Sequence, residues 1–98
     1  MYWCKAGEML IVNAFYDDIH EKYFNKLEFA GFAEPAFVTA YVKGGGNFVR
    51  IPHGSIVLAL EGSVAPFFES DRIRCLWDER VVFIKRKALN KINVSESF

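Results

Sequence analysis

Residues 72–86 read RIRCLWDERVVFIKR, and the alternation within them decides the fold. Ile73, Cys75 and Trp77 share one face of an extended chain, while Arg72 and Arg74 share the other. After Asp78-Glu79 the pattern resumes, with Val82 and Ile84 opposed to Val81, Phe83 and Lys85. Branched and aromatic residues fill both runs, as a pleated, half-buried surface favours. Two such runs separated by two residues predict a tight antiparallel hairpin. Upstream, Gly54 precedes a third run, in which Ile56, Leu58 and Leu60 fall on one face.

Working outward, Lys5-Ala6-Gly7-Glu8 reads as a turn before a first strand over 8–16, with Ala14 and Tyr16 near its end. Residues 1–4 either prolong that edge or fray. From Asp18 to Gly31 the period changes: Ile19, Tyr23, Phe24 and Leu27 recur at helical spacing. Asp18 and Glu21 stand at capping-box spacing with Asp18 as N-cap, and Gly31 fits the position just past a helix end. A helix of about 12 residues follows, although Phe29, Ala30 and Phe32 equally suit the start of an extended run. Glu34-Pro35 ends it, because a residue before proline avoids helical geometry. Residues 36–43 then alternate as a strand, Gly44-Gly45-Gly46-Asn47 turns, and residues 48–51 return. Residues 62–71 read as a loop whose adjacent Phe67 and Phe68 are expected to fold inward.

At 98 residues the chain is expected to be one domain over 1–98, and a hydrophobic share of 52% excludes a disordered chain. Ten Phe, four Tyr and two Trp supply either a dense core or an exposed patch for a partner. Net charge is zero, so no global field draws the molecule to nucleic acid or anionic lipid. The charge is nevertheless uneven: Arg80, Lys85, Arg86, Lys87 and Lys91 form a strip with no acid from Arg80 to Val94. No run approaches the roughly 18–20 apolar residues that span a bilayer, and no leader pattern is present. Two cysteines, Cys4 and Cys75, make no disulfide framework, so the cytoplasm with both thiols reduced is the default expectation.

Residues 54–92, and more weakly 5–12, resemble small Src-homology-3-like β-barrels of phage and bacterial type. The resemblance rests on Gly54, Ile56, Val57, Leu58 and Glu61, on Ile73, Cys75, Leu76, Trp77 and Asp78, and on Leu89 and Ile92. It implies a mainly β fold with barrel strands about 8–16 and 54–94 and a short helical turn near 85–89; the helix and hairpin read over about 17–53 then stand as an insertion where such barrels usually carry a short loop. It also implies a phage or bacterial protein in the cytoplasm, the host's if viral. Glu79 stands where the pattern carries glycine, and a two-residue primed turn needs positive φ. The 78–79 turn is therefore expected to be longer or differently shaped. The barrel resemblance carries no function, since such folds host many roles.

Few residues suggest chemistry. The triglycine opens a strand at Asn47-Phe48-Val49 and lacks the Lys-Ser or Lys-Thr of a phosphate loop, so it is read as a hairpin turn. A winged-helix reading of that hairpin wants three helices, and the sequence offers one. Cys4, His20, His53 and Cys75 lack metal-ligand spacing, and no cofactor is expected. Cys75 sits mid-strand on an apolar face, His53 in a turn, and His20 on the exposed side of the helix. Asp17-Asp18 and Asp78-Glu79 are explained by a cap and a turn. The reading is therefore a non-enzymatic interaction module that binds a protein through Tyr41, Phe48, Phe67, Phe68 and Trp77. Its alternative is a nucleic-acid-binding protein using Arg80, Lys85, Arg86, Lys87 and Lys91, joined by Arg72, Arg74 and Arg50. A small enzyme is the third reading. No membrane partner is expected, and a homo-oligomer is compatible with the sequence.

Overall fold

The computed structural model describes residues 2–31, 36–64, 68 and 71–92. Their elements run β1 (Tyr2–Cys4), β2 (Met9–Val12), α1 (Asp18–Phe29), β3 (Phe37–Val42), β4 (Phe48–Pro52) and β5 (Ile56–Ala59). Then come β6 (Ser63–Val64), β7 (Arg72–Trp77), β8 (Arg80–Lys85), a 3-10 turn (Arg86–Ala88) and β9 (Leu89–Lys91). The fold is mainly β with one short helix, as the alternating runs require.

Seven strands form one antiparallel sheet in the order β4-β3-β8-β7-β5-β2-β9, and β1 pairs with β6 in a separate ribbon. The order β9-β2-β5-β7-β8 collects the strands expected of a barrel, but the ladder stays open. On the far side of β8 the β3–β4 hairpin is added, with Tyr41 opposite Phe83 and Val42 opposite Val82. That edge is the one ring closure would need, and the sheet continues outward from it to β4.

One face of the sheet carries the core. Leu10, Val12, Val38, Ala40, Ile51, Val57, Ala59, Ile73, Cys75, Val82 and Ile84 all point into it and are buried. Cys4 joins them, so the chain start is a packed strand and not a fraying edge. Trp3 helps fix it: the Arg86 guanidinium, only 6% exposed, lies 3.8 Å from that ring's centre. Strand β2 is shorter than the expected 8–16. Asn13 Oδ1 accepts the Phe15 N–H at 3.0 Å, and this Asx turn bends the chain out of the strand. The Ala14 N–H donates to His53 Nδ1 at 3.1 Å, so His53 ties the end of β2 to the end of the β3–β4 hairpin.

The β7–β8 turn corrects the sequence reading. Trp77 pairs with Arg80 across a two-residue turn, with φ of 50° at Asp78 and 60° at Glu79. The turn is the tight primed type after all, and Glu79 accepts a left-handed backbone. The expectation gave too much weight to local strain, which six paired positions of hairpin outweigh. Left-handed φ costs an ordinary L-residue about 1–2 kcal/mol. Glu79→Gly is therefore expected to raise stability by about 0.5–1 kcal/mol after glycine's greater unfolded-state entropy is subtracted. A higher urea midpoint at unchanged slope would register it.

Among the described residues no helix is long and apolar enough to cross a membrane. Phe67 lies outside the described residues, whereas Phe68 is 79% exposed and does not fold inward.

Candidate functional site

Helix α1 sits against the outer face of the sheet and creates a cleft there. Its N-cap is Asp17, one residue earlier than the spacing suggested, and Asp18 is the first helical residue. Asp17 Oδ1 accepts the His20 backbone N–H at 2.8 Å and meets His20 Nδ1 at 2.7 Å. His20 Nε2 in turn lies 3.2 Å from the Tyr16 hydroxyl. His20 is therefore engaged in the first turn and not idle on an exposed side. At the other end Gly31, with φ of +91°, supplies the left-handed residue that closes the helix.

The His20 backbone N–H, and then its ring, hold the Asp17 carboxyl below the usual carboxylate range. A carboxylate with a depressed folded-state pKa contributes stability above its unfolded pKa and loses it as pH falls through the folded value. Asp17→Ala should therefore melt at a lower temperature than the wild type at pH 7. The two melting curves should begin to approach each other as pH falls into the ordinary carboxylate range and should meet only below it, once the pH has passed the depressed folded value. Tyr16 behaves oppositely: burial raises its pKa, so it stays a neutral hydroxyl. The Asp–His–Tyr chain has the outline of a proton relay, but each of its bonds is made within the first turn of α1, where it anchors Tyr16 and the cap.

The helix attaches through Phe24, its buried residue, which packs edge-on against Phe37 at 5.3 Å and Phe15 at 6.0 Å. Leu27 is partly buried beside this cluster. Ile19 and Tyr23, from the same periodic set, remain 77% and 53% exposed. They overhang the sheet without reaching it. The space beneath is a cleft of about 490 Å³ lined by Tyr16, Ile19, Tyr23, Phe24 and Phe37, with Thr39, Phe48, His20, Arg72 and Lys85.

Pairing register explains how the strands bring those residues together. Phe48, Tyr41, Phe83 and Arg74 form one cross-strand row on the outer face. Arg50 faces Thr39, and Lys85 faces Arg72, in the next row. Tyr41 and Phe48 stack with centroids 4.3 Å apart. The Arg72 guanidinium lies 4.7 Å from the Tyr41 ring centre, and that of Arg50 lies 4.7 Å from the Phe37 ring centre. Both cations are thus held in place by rings. Among the described residues none of Arg50, Arg72 and Lys85 has a carboxylate in ion-pair range. Arg74 differs, because Glu61 lies 4.0 Å from its guanidinium and accepts its backbone N–H at 3.0 Å.

The residues expected to bind a protein therefore separate. Tyr41 and Phe48 meet beside the cleft, while Trp77 turns toward the core, partly buried. Phe68 borders a different depression with Glu61, Gly62, Ser63, Asp71, Arg72 and Ile73. The basic strip separates too. Lys85 reaches the cleft and, together with Lys87, also borders the adjoining depression lined by Asp17 and Asp18. Arg86 is buried, Arg80 is exposed at the β7–β8 turn, and Lys91 lies 3.4 Å from Glu8. The cleft residues that sequence reasoning did not assign to a site are Tyr16, Ile19, His20, Tyr23, Phe24, Phe37, Val38 and Thr39. For Ile19 and Tyr23 the signal was the width of the helix's apolar stripe, which exceeds what Phe24 and Leu27 bury; the others carried none.

Both thiols are inert in this setting. Cys75 is fully buried with its pKa pushed up to about 12, mainly by desolvation, and burial also raises that of Cys4. Among the described residues no group of three or more potential ligands stands ready for a metal ion. In comparisons with known proteins the chain matches no family model, and no curated protein or solved structure is significantly similar to it.

Proposed function

We propose that this chain is a non-enzymatic interaction module of the small Src-homology-3-like type, acting in the cytoplasm of a phage-infected or bacterial cell, and that it binds a protein through the cleft under α1. The strand order β9-β2-β5-β7-β8, with a 3-10 turn between β8 and β9, supports the barrel kinship. The observation that carries the binding reading is Ile19 and Tyr23, which stay largely exposed on the wall of a cleft that Phe37 and Phe48 also line. Its volume lies within the roughly 300–1,000 Å³ of ligand sites. Large apolar side chains kept out of a core commonly mark a contact surface.

Selection of a random dodecapeptide display library tests the reading. The wild type should enrich a recurrent motif, and Ile19→Asp or Phe48→Asp should lose it while the far-UV spectrum is unchanged. The cations beside aromatic rings favour a second reading, single-stranded nucleic acid. If no peptide is enriched, and labelled oligothymidylate binds with a steep salt dependence, that second reading replaces the first.

A further inference from the structure

Resting on the protein-binding reading, we infer that the cleft takes an acidic segment of a partner protein: one aromatic or aliphatic side chain entering between α1 and β3, flanked by carboxylates that meet Arg50, Arg72 and Lys85. The charge pattern argues for it. Arg72 and Lys85 line the apolar cavity, Arg50 stands beside it over the ring of the lining residue Phe37, and among the described residues no carboxylate is in ion-pair range of the three. Arg50 and Arg72 are oriented by the rings of Phe37 and Tyr41, so little freedom is lost when a carboxylate arrives. A guanidinium fork over a ring suits a planar carboxylate. The helix supplies Ile19 and Tyr23 as an apolar wall for the anchor, the arrangement in which anchor residues dominate binding.

A nucleic-acid backbone fits less well. It needs a continuous basic track. Here the track beyond Lys85 meets Asp17 and Asp18 beside Lys87, and the other cations of the 80–91 strip face elsewhere. The ring-to-ring contacts of Phe24 with Phe37 and of Tyr23 with Phe24 are edge-on. Edge-on rings make a socket for one side chain, and successive bases need open faces.

The experiment is the dodecapeptide selection run in parallel on the wild type and on the triple variant Arg50→Glu, Arg72→Glu, Lys85→Glu. The wild type should enrich Asp and Glu around an aromatic or Leu. The triple variant should enrich Lys and Arg around the same anchor, which also shows that it is folded. An enriched acidic peptide should lose at least tenfold in affinity for Arg72→Glu and should weaken between about 50 and 200 mM salt. Neutral or basic motifs from the wild type would overturn the inference while leaving the cleft as a protein site. Failure to enrich any peptide would overturn both. Tighter binding of oligothymidylate than of any peptide, or self-association that the triple variant abolishes, would assign the cleft to nucleic acid or to a second copy and so overturn the acidic partner.

Discussion

Alanine at Phe24 is expected to cost about 3 kcal/mol and to unfasten α1 while the sheet stays folded. Phe24 is the helix's buried residue, and its ring sits between Phe15 and Phe37. An isolated helix of 12 residues is marginal in water, so a helix deprived of its anchor has little to keep it formed. The loss should therefore be local. Amide exchange across 20–29 should approach that of an open segment, while β7 and β8 keep their protection. Equal loss of protection in β7 and β8 would mean that the helix and sheet unfold as one unit. The same variant should abolish peptide binding, because Ile19 and Tyr23 lose their place above Phe37.

Ile84→Ala should act on the whole molecule. Ile84 is fully buried in β8, which lies between β3 and β7, and it faces Ile73 across the β7–β8 ladder. Shortening a buried Ile to Ala removes transferred surface and leaves a cavity, for about 3–4 kcal/mol. For a domain whose total stability is about 5–15 kcal/mol, that is a large share. The urea midpoint should fall with little change in slope, and all protected amides should lose protection together. A loss below about 1 kcal/mol would show that the inner face repacks freely and that the core is less specific than its alternation suggests.

The two variants also separate what the sequence disclosed from what it concealed. Ile84 was legible because its neighbours alternate: Val82 and Ile84 inward, Phe83 and Lys85 outward. The same rule placed the β3–β4 hairpin, whereas the 3-10 turn before Leu89 was expected from the barrel resemblance alone. Strand β1 was hidden because three residues show no period, and its partner β6 lies within a stretch that reads as loop. Adjacent aspartates made the cap ambiguous by one position. Asp17 prevailed because its carboxylate reaches the His20 N–H, three residues along. The turn at Asp78-Glu79 was misread because the pairing on either side, which outweighs its strain, is not local to it.

The cleft was hidden for a different reason. Helical spacing groups Ile19 and Tyr23 with Phe24 and Leu27, and nothing in the spacing says that only part of that stripe meets the sheet. Arg72 and Lys85 are opposite each other across the β7–β8 hairpin, which was predictable. Their approach to Tyr41 and Thr39 depends on β3 choosing β8 as its neighbour, across about forty residues of intervening chain. The basic strip misled in the opposite way. Residues close in sequence were expected to act together, yet alternation along β8 and the following turn sends Lys85 outward and Arg86 inward against Trp3.

The most direct test of the cleft as a binding site is a ¹H–¹⁵N chemical-shift titration of the intact chain with a peptide enriched by the display selection. The amides of Ile19, Tyr23, Thr39, Phe48, Arg72 and Lys85 are predicted to shift in a saturable way, with Met9–Val12 and Leu89–Lys91 nearly still. Shifts gathered instead around Phe68 and Glu61, or along β9, would contradict the account and move the interaction surface away from α1.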